Sequence, residues 1–165
     1  SKSSIAFKSI HAPLKKANVE GTDVTAENVA EKFQITREEQ DKFALRSQEK
    51  AFQAQRDNKF NEEIVNFKIK STKSEIDFNK DEHPREGINL EILSKLKPVF
   101  KKDGTVTAGN ASGINDGAAA VAIMSSDEAK KRNMDKLVSI KSWASCGVDP
   151  ALMGTGPIPS SKKAL

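Results

Sequence analysis

An α/β fold is predicted, and three observations predict it. Thr36, with Glu39 three positions on, makes a capping box that opens a long helix to about Asp57. Val65, Phe67 and Ile69 alternate with Asn66, Lys68 and Lys70, and Ile76 and Phe78 repeat that period of two, the pattern of strands. Ala118 to Met124 is a continuous run of mostly small apolar residues, suited to a strand covered on both faces. Helical and strand signals are interspersed without an internal repeat.

In chain order, Thr25 is expected to cap a short helix through Phe33, with Glu27 in a first turn where the helix dipole favours an acid. In the long helix, Phe43, Ser47, Ala51 and Ala54 recur at spacings of three and four, a narrow stripe to be buried against a close neighbour. Asn58 suits the C-terminal end of that helix. The two alternating stretches make a hairpin about Ser71 to Ser74, with half-buried strands. Asn89 caps a helix to Leu96, which Pro98 ends. Asp103-Gly104 turns the chain into a strand at Thr105 to Thr107. Ser125 with Glu128 opens a helix to about Arg132, Leu137 to Trp143 reads as a further strand, and Pro159 and Ser160 begin a last helix.

The length of 165 residues suits one domain with a modest core. At 36% hydrophobic and 30% charged, with a mean hydropathy of −0.57, the chain is polar for a self-sufficient globule. The net charge of +4 admits an anionic partner. The charges are nevertheless intermixed, Lys and Arg beside Glu and Asp, from Thr36 to Glu63, which reads as a solvated surface. With eight Phe, one Trp and no Tyr, none interleaved with a basic stripe, nucleic acid is not an expected partner. A single cysteine excludes an internal disulfide framework and a cysteine-based zinc cluster, and agrees with a reducing compartment. No run of about eighteen apolar residues spans a membrane. Ser1 to Lys16 is rich in Ser and Lys and free of acids, as in a transit peptide, but lacks arginine. The cytoplasm is the expected compartment, with the mitochondrion as the other.

The chemically richest stretch is Thr105-Val-Thr-Ala-Gly-Asn-Ala-Ser-Gly-Ile-Asn-Asp-Gly-Ala-Ala-Ala120, which holds three glycines, two asparagines and one serine and almost no bulk. Such a segment lets backbone lie close to another element or to a ligand, and physical reasoning alone leaves both uses open. Its order resembles the TVTAGNASGxNDGAAA segment of the thiolases, acyl-CoA acetyltransferases that make or cleave 3-ketoacyl-CoA. Further segments similar to that family follow one another along the chain: Thr25-Ala-Glu-Asn-Val-Ala30, Arg37-Glu-Glu-Gln-Asp41, Phe60 to Val65, Asp81 to Arg85, Leu96-Lys-Pro98, Gly147-Val-Asp-Pro150, and Met153-Gly-Thr-Gly-Pro-Ile-Pro159. The resemblance covers about residues 25–165 and is closest to the short-chain, biosynthetic members, the acetyl-CoA acetyltransferases.

The resemblance implies a thiolase-like α/β fold, present here as an internal fragment. Residues 1–24 lie outside it and are expected to be irregular; Gly21-Thr-Asp23 stands where the family has His-Met-Gly. Residues 25–114 correspond to the loop domain, with coenzyme A (CoA) binding and oligomer contacts. Residues 115–134 are the strand and helix completing the N-terminal half, and 135–165 the truncated start of the C-terminal half. The implied parent is an acetyl-CoA C-acetyltransferase of lipid metabolism. It condenses two acetyl-CoA to acetoacetyl-CoA, or runs the reverse thiolysis, through an acyl-cysteine. It is expected to be a homotetramer acting on acyl-CoA with no cofactor beyond the coenzyme A of its substrate. The family's acyl-accepting cysteine, its Gly-His-Pro histidine and its second cysteine have no matching segment here, so no catalytic residue is assigned and the chain alone is expected to be inactive. The alternative is a non-catalytic binding or oligomerisation module derived from the same family.

Four CoA-binding residues follow from the resemblance. Ser112 matches a serine that meets the pantetheine arm, against the plainer reading of a hydroxyl bonding its own turn. Ala108 matches an alanine whose backbone borders the same arm. Arg85 matches an arginine near the nucleotide, where a guanidinium suits phosphate or adenine; the plainer reading is an ion pair with Glu82 or Glu86. Phe100 matches an aromatic against adenine and pantetheine, or is simply core. Ile92 replaces a family serine that helps hold the nucleotide. Cys146 reads as a structural thiol, since no histidine lies near it in sequence. His83 has no second histidine at ligand spacing, so no metal site is expected, and His11 receives no role. Asn110, Asn115 and Asp116 are expected to fix the turn through backbone bonds, and Gly109, Gly113 and Gly117 to allow an approach that a Cβ forbids.

Overall fold

A computed structural model describes residues 22–70 and 74–165. The expected irregular stretch 1–24 lies outside those residues except for its last three positions, which fall in the first helix; His11 and Ser1 to Lys16 lie outside them too. The described residues form two compact units, Thr22–Gly113 and Ile114–Leu165.

The first unit runs α1 (Thr22–Lys32), α2 (Arg37–Arg56), β1 (Phe67–Lys70), β2 (Glu75–Phe78) and α3 (Leu90–Ser94). The helix at α1 begins ahead of Thr25, which is buried inside it rather than capping it. The capping box of α2 forms as expected. Thr36 Oγ1 accepts from the Glu39 amide at 3.2 Å, and Glu39 Oε2 accepts from the Thr36 amide at 2.8 Å. Asn58 ends α2 as the sequence suggests, at φ +56°. Its amide bonds to the Gln55 carbonyl at 3.1 Å and the Lys59 amide to that of Ala54 at 2.9 Å, a Schellman closure. Gln34 closes α1 in the same way at φ +55°.

The inward stripe of α2 keeps half of the one expected: Ala51 and Ala54 are half-buried, but Phe43 and Ser47 are not. Phe43 is 67% exposed and lies under the Arg46 guanidinium, and Ser47 is exposed as well. Asp41 is buried, and Arg37, Ala44, Leu45 and Gln48 are half-buried. The physical reason is that α2 faces polar groups of the segment 93–110, so the buried stripe is set by hydrogen bonding rather than by apolar spacing.

The two alternating stretches pair antiparallel as a hairpin, as expected, in a register that sets Phe67 opposite Phe78 and Ile69 opposite Ile76. Its strands are not half-buried: each of their residues is exposed, Phe67 most of the apolar four. Asn89 caps α3 through a bond from the Ile92 amide at 2.9 Å, and α3 stops at Ser94, two residues before Leu96. Thr105 to Thr107 does not form a full strand. A single bridge joins Pro98 to Thr107, with the Val99 amide on the Val106 carbonyl at 3.0 Å.

The second unit holds α4 (Ser126–Lys131), a 3-10 turn (Pro150–Thr155) and α5 (Pro157–Ala164). Ser125 caps α4 as expected, and Asn133 at φ +51° closes it. Asp149 Oδ1 accepts from the Ala151 amide at 2.9 Å to start the 3-10 turn, which the sequence reading missed, and α5 begins two residues before Pro159. The expected strands at Ala118 to Met124 and Leu137 to Trp143 are not formed, and Val121 and Val138 are exposed. A strand needs a neighbour to take its amides and carbonyls, and among the described residues neither segment has one.

The α2 cap carries the first testable consequence. Its two hydrogen bonds from Thr36 hold the Glu39 carboxyl below its ordinary range. A lowered carboxyl contributes stability above its unfolded pKa and loses it as pH falls through the folded one. Thr36→Ala is expected to cost about 1 kcal/mol near neutral pH. The amide bond from residue 36 to Glu39 survives in alanine, so only the share of the cost carried by the hydroxyl's bond to Glu39 Oε2 should fade in acid, as checked by thermal melts of both chains from pH 7 down to about pH 3.

Candidate functional site

A polar core positions the segment from Pro98 to Ser112. Glu27 projects from α1, is only 4% exposed, and takes four hydrogen bonds. The Thr105 amide reaches its two carboxylate oxygens at 3.1 and 2.9 Å, the Val106 amide donates at 2.9 Å, and the Thr105 hydroxyl donates at 3.1 Å. From α2, Arg37 donates through Nε to Asp41 Oδ2 at 2.8 Å and through one terminal nitrogen to the carbonyls of Leu93 and Leu96 at 2.7 and 2.9 Å. These two carbonyls lie at the C-terminal end of α3, where a cation is favoured. Asp41 Oδ1 then accepts from Asn110 Nδ2 at 3.0 Å.

Asn110 completes the hold. Its Nδ2 also donates to the Thr105 carbonyl at 3.0 Å, and its Oδ1 accepts from the Thr107 amide at 2.8 Å. Thr107 is fully buried; its hydroxyl accepts from the Gly109 amide, and its carbonyl from the amides of Asn110 and Ala111. Among the described residues no buried side-chain polar atom lacks a partner, the condition for a polar core to be stabilising. Two glycines fit this path. A Cβ on Gly104 would lie 2.3 Å from Glu27 Oε1, and one on Gly109 would lie 2.5 Å from Leu93 Cδ2 and 2.6 Å from Leu96 Cδ1. Gly117 differs from that expectation: nothing stands within 4 Å of a Cβ there, and its φ is not in the left-handed region. An exposed pair, Lys101 Nζ to Glu31 Oε2 at 2.9 Å, adds a tie to α1. Its hydrogen bond and charge lower the Glu31 carboxyl and raise the Lys101 ammonium.

The four sequence-predicted residues all belong to the first unit. Phe100, Ala108 and Ser112 lie on the one segment that this network holds; Ala108 and Ser112 are exposed, and Phe100 is 40% exposed rather than core. Arg85 is held elsewhere, its amide donating to Gln48 Oε1 on α2 at 3.0 Å. Its guanidinium is exposed and makes no ion pair with Glu82 or Glu86. None of the four lines either of two surface clefts. One, of about 450 Å³, is bordered by Phe33, Ile35, Gln40, Phe43 and Asn110; the other, of about 420 Å³, by Phe52, Phe60, Ile64 and Asp81. Asn110 fixes the turn as expected, whereas Asn115 and Asp116 are exposed beyond it. His83 is exposed, with its amide on Asp81 Oδ1, and Cys146 is half-buried and unpaired with sulfur. Sequence reasoning missed Glu27, Arg37 and Asp41 as the holding residues. The available signal was their place in the TAEN and REEQD segments, on helices with too few apolar residues to pack otherwise.

Comparison with known proteins bears on what this segment is. Residues 10–127 match the family model described as the thiolase N-terminal domain, a range that begins upstream of Thr25. The chain is 56% identical over 142 residues to an acetyl-CoA acetyltransferase of Rhizobium meliloti (strain 1021), covering 86% of this chain and 36% of that protein. It thus spans about a third of the length of the curated relatives it matches. It is similar to the crystal structure of the Bacillus anthracis acetyl-CoA acetyltransferase at a TM-score of 0.77 and 49% identity, covering 87% of this chain and 36% of the other. The human mitochondrial 3-ketoacyl-CoA thiolase solved in complex with CoA matches at a TM-score of 0.78 and 47% identity, covering 91% and 37%. With the family model matching residues 10–127, most of this chain, and solved thiolases sharing its fold, this chain belongs to the thiolase family.

Proposed function

We propose that this chain is the CoA-holding part of an acetyl-CoA C-acetyltransferase, the enzyme that joins two acetyl-CoA into acetoacetyl-CoA or cleaves the product with CoA. The observation that carries the reading is the segment Pro98 to Ser112, pinned from behind by Glu27 and Asn110 while Ala108 and Ser112 are exposed. A thioester's pantetheine arm is long, flexible and amide-bearing. Small side chains with one hydroxyl suit it, because they admit its width and offer Ser112 as donor or acceptor. Phe100 presents a partly exposed ring to the adenine end, and Arg85 a cation for the phosphates. The acyl-cysteine and the residues that shuttle its protons belong to other parts of the parent enzyme, where preorganised donors would hold its enolate and oxyanions. The parent is read as a cytoplasmic homotetramer of lipid metabolism that needs no cofactor beyond its substrate's coenzyme A.

One observation favours a second reading, an assembly module without catalysis. The hairpin leaves Phe67, Ile69, Ile76 and Phe78 exposed, an apolar pair of strands that a second subunit would cover. Calorimetric titration with CoA, alongside size exclusion with light scattering, separates the two. CoA binding by the 165-residue chain, without thiolysis of acetoacetyl-CoA, is expected on the first reading. Self-association with no CoA affinity would favour the second, and thiolysis above background would overturn the inactivity assigned to the chain.

A further inference from the structure

We infer that Glu27 is a positioning residue for coenzyme binding, acting through the backbone at Thr105 and Val106 on the placement of Ala108 and Ser112; the inference rests on the reading of that segment as a CoA site. Glu27 bonds Thr105 and Val106 and neither Ala108 nor Ser112, so its effect on those two residues passes through the loop. Its carboxylate gathers two consecutive amides and the Thr105 hydroxyl, a convergence of donors that a neutral side chain does not reproduce. Thr105 and Val106 do not pair within a strand of their own, so this carboxylate takes the place of a ladder partner for their amides. Gly104 is an independent sign of the same fit, because a Cβ there would lie 2.3 Å from Glu27 Oε1, too close for both to stay. From this anchor the chain runs through the buried Thr107 directly to Ala108, which leaves little freedom between the carboxylate and the exposed face.

The first test is Glu27→Gln, which keeps the side chain's size but replaces one acceptor oxygen with a donor. Amide hydrogen exchange should speed up at Thr105 and Val106 by about tenfold or more, while the Leu93 amide, bonded to Asn89 within α3, keeps its rate. CoA affinity should fall by about tenfold. A merely structural role would raise exchange throughout residues 22–113 in step with lowered stability, and that pattern would overturn the proposal. Gly104→Ala, which displaces the carboxylate while leaving Glu27 in place, should reproduce the local exchange and the lost affinity; it keeps the test open if Glu27→Gln does not fold. Faster local exchange with unchanged CoA affinity would overturn the positioning role alone. No CoA binding by the unmodified chain would overturn both this role and the reading of the site.

Discussion

Asp41→Ala is expected to destabilise the first unit by about 3 kcal/mol, the lower end for breaking a buried ion pair. Asp41 is 3% exposed and serves two donors at once, Arg37 Nε on one oxygen and Asn110 Nδ2 on the other. Its removal leaves a guanidinium without its countercharge and an amide short of one acceptor. The loss is tempered because Arg37 keeps the carbonyls of Leu93 and Leu96 and its side chain is 24% exposed. Asp41→Asn is not expected to rescue stability. An asparagine has one acceptor oxygen, so its amide nitrogen must confront either Arg37 or Asn110, donor against donor. Urea unfolding followed by helical circular dichroism checks both variants, and an asparagine variant as stable as the parent would contradict the network. Because Asp41 and Asn110 touch, the pair Asp41→Ala and Asn110→Ala should cost less together than the sum of the two alone.

Gly109→Ala is expected to cost about 2 kcal/mol through overpacking. The new methyl would sit 2.5 Å from Leu93 Cδ2 and 2.6 Å from Leu96 Cδ1, and Leu93, with no exposed surface, cannot yield. Gly117→Ala provides the contrast within the same motif, since nothing lies within 4 Å of its Cβ. It is expected to be neutral or slightly stabilising, because alanine restricts the unfolded chain. Equal losses at both positions in thermal unfolding would contradict the placement of the loop against α3.

What the sequence made legible was local. The capping box at Thr36, the Ser125 cap, the αL closure at Asn58 and the alternation of the hairpin strands all depend on residues a few positions apart, where side chain and backbone decide the outcome together. The N-terminal part of the α2 stripe, Phe43 and Ser47, was misread because an apolar period finds an apolar face, and here the inward face carries Arg37 and Asp41. The unformed strands at Ala118 to Met124 and Leu137 to Trp143 show the complementary limit, for a strand pattern states a need for partners without supplying them. For the site, motif resemblance marked Ala108 and Ser112, and the structure places both on the surface. The carboxylate behind them was hidden because Glu27 precedes Thr105 by 78 positions, and a pairing at that separation leaves no local pattern.

The central claim is that the segment ending at Ser112 presents its exposed face to the arm of coenzyme A. Site-resolved amide NMR during titration of the chain with CoA tests it most directly. Shifts that saturate together at Ala108 and Ser112, with Phe100 and Arg85 responding and the α2 amides facing the 450 Å³ cleft unmoved, are expected. Saturable shifts confined to either cleft, with Ala108 and Ser112 unchanged, would contradict it.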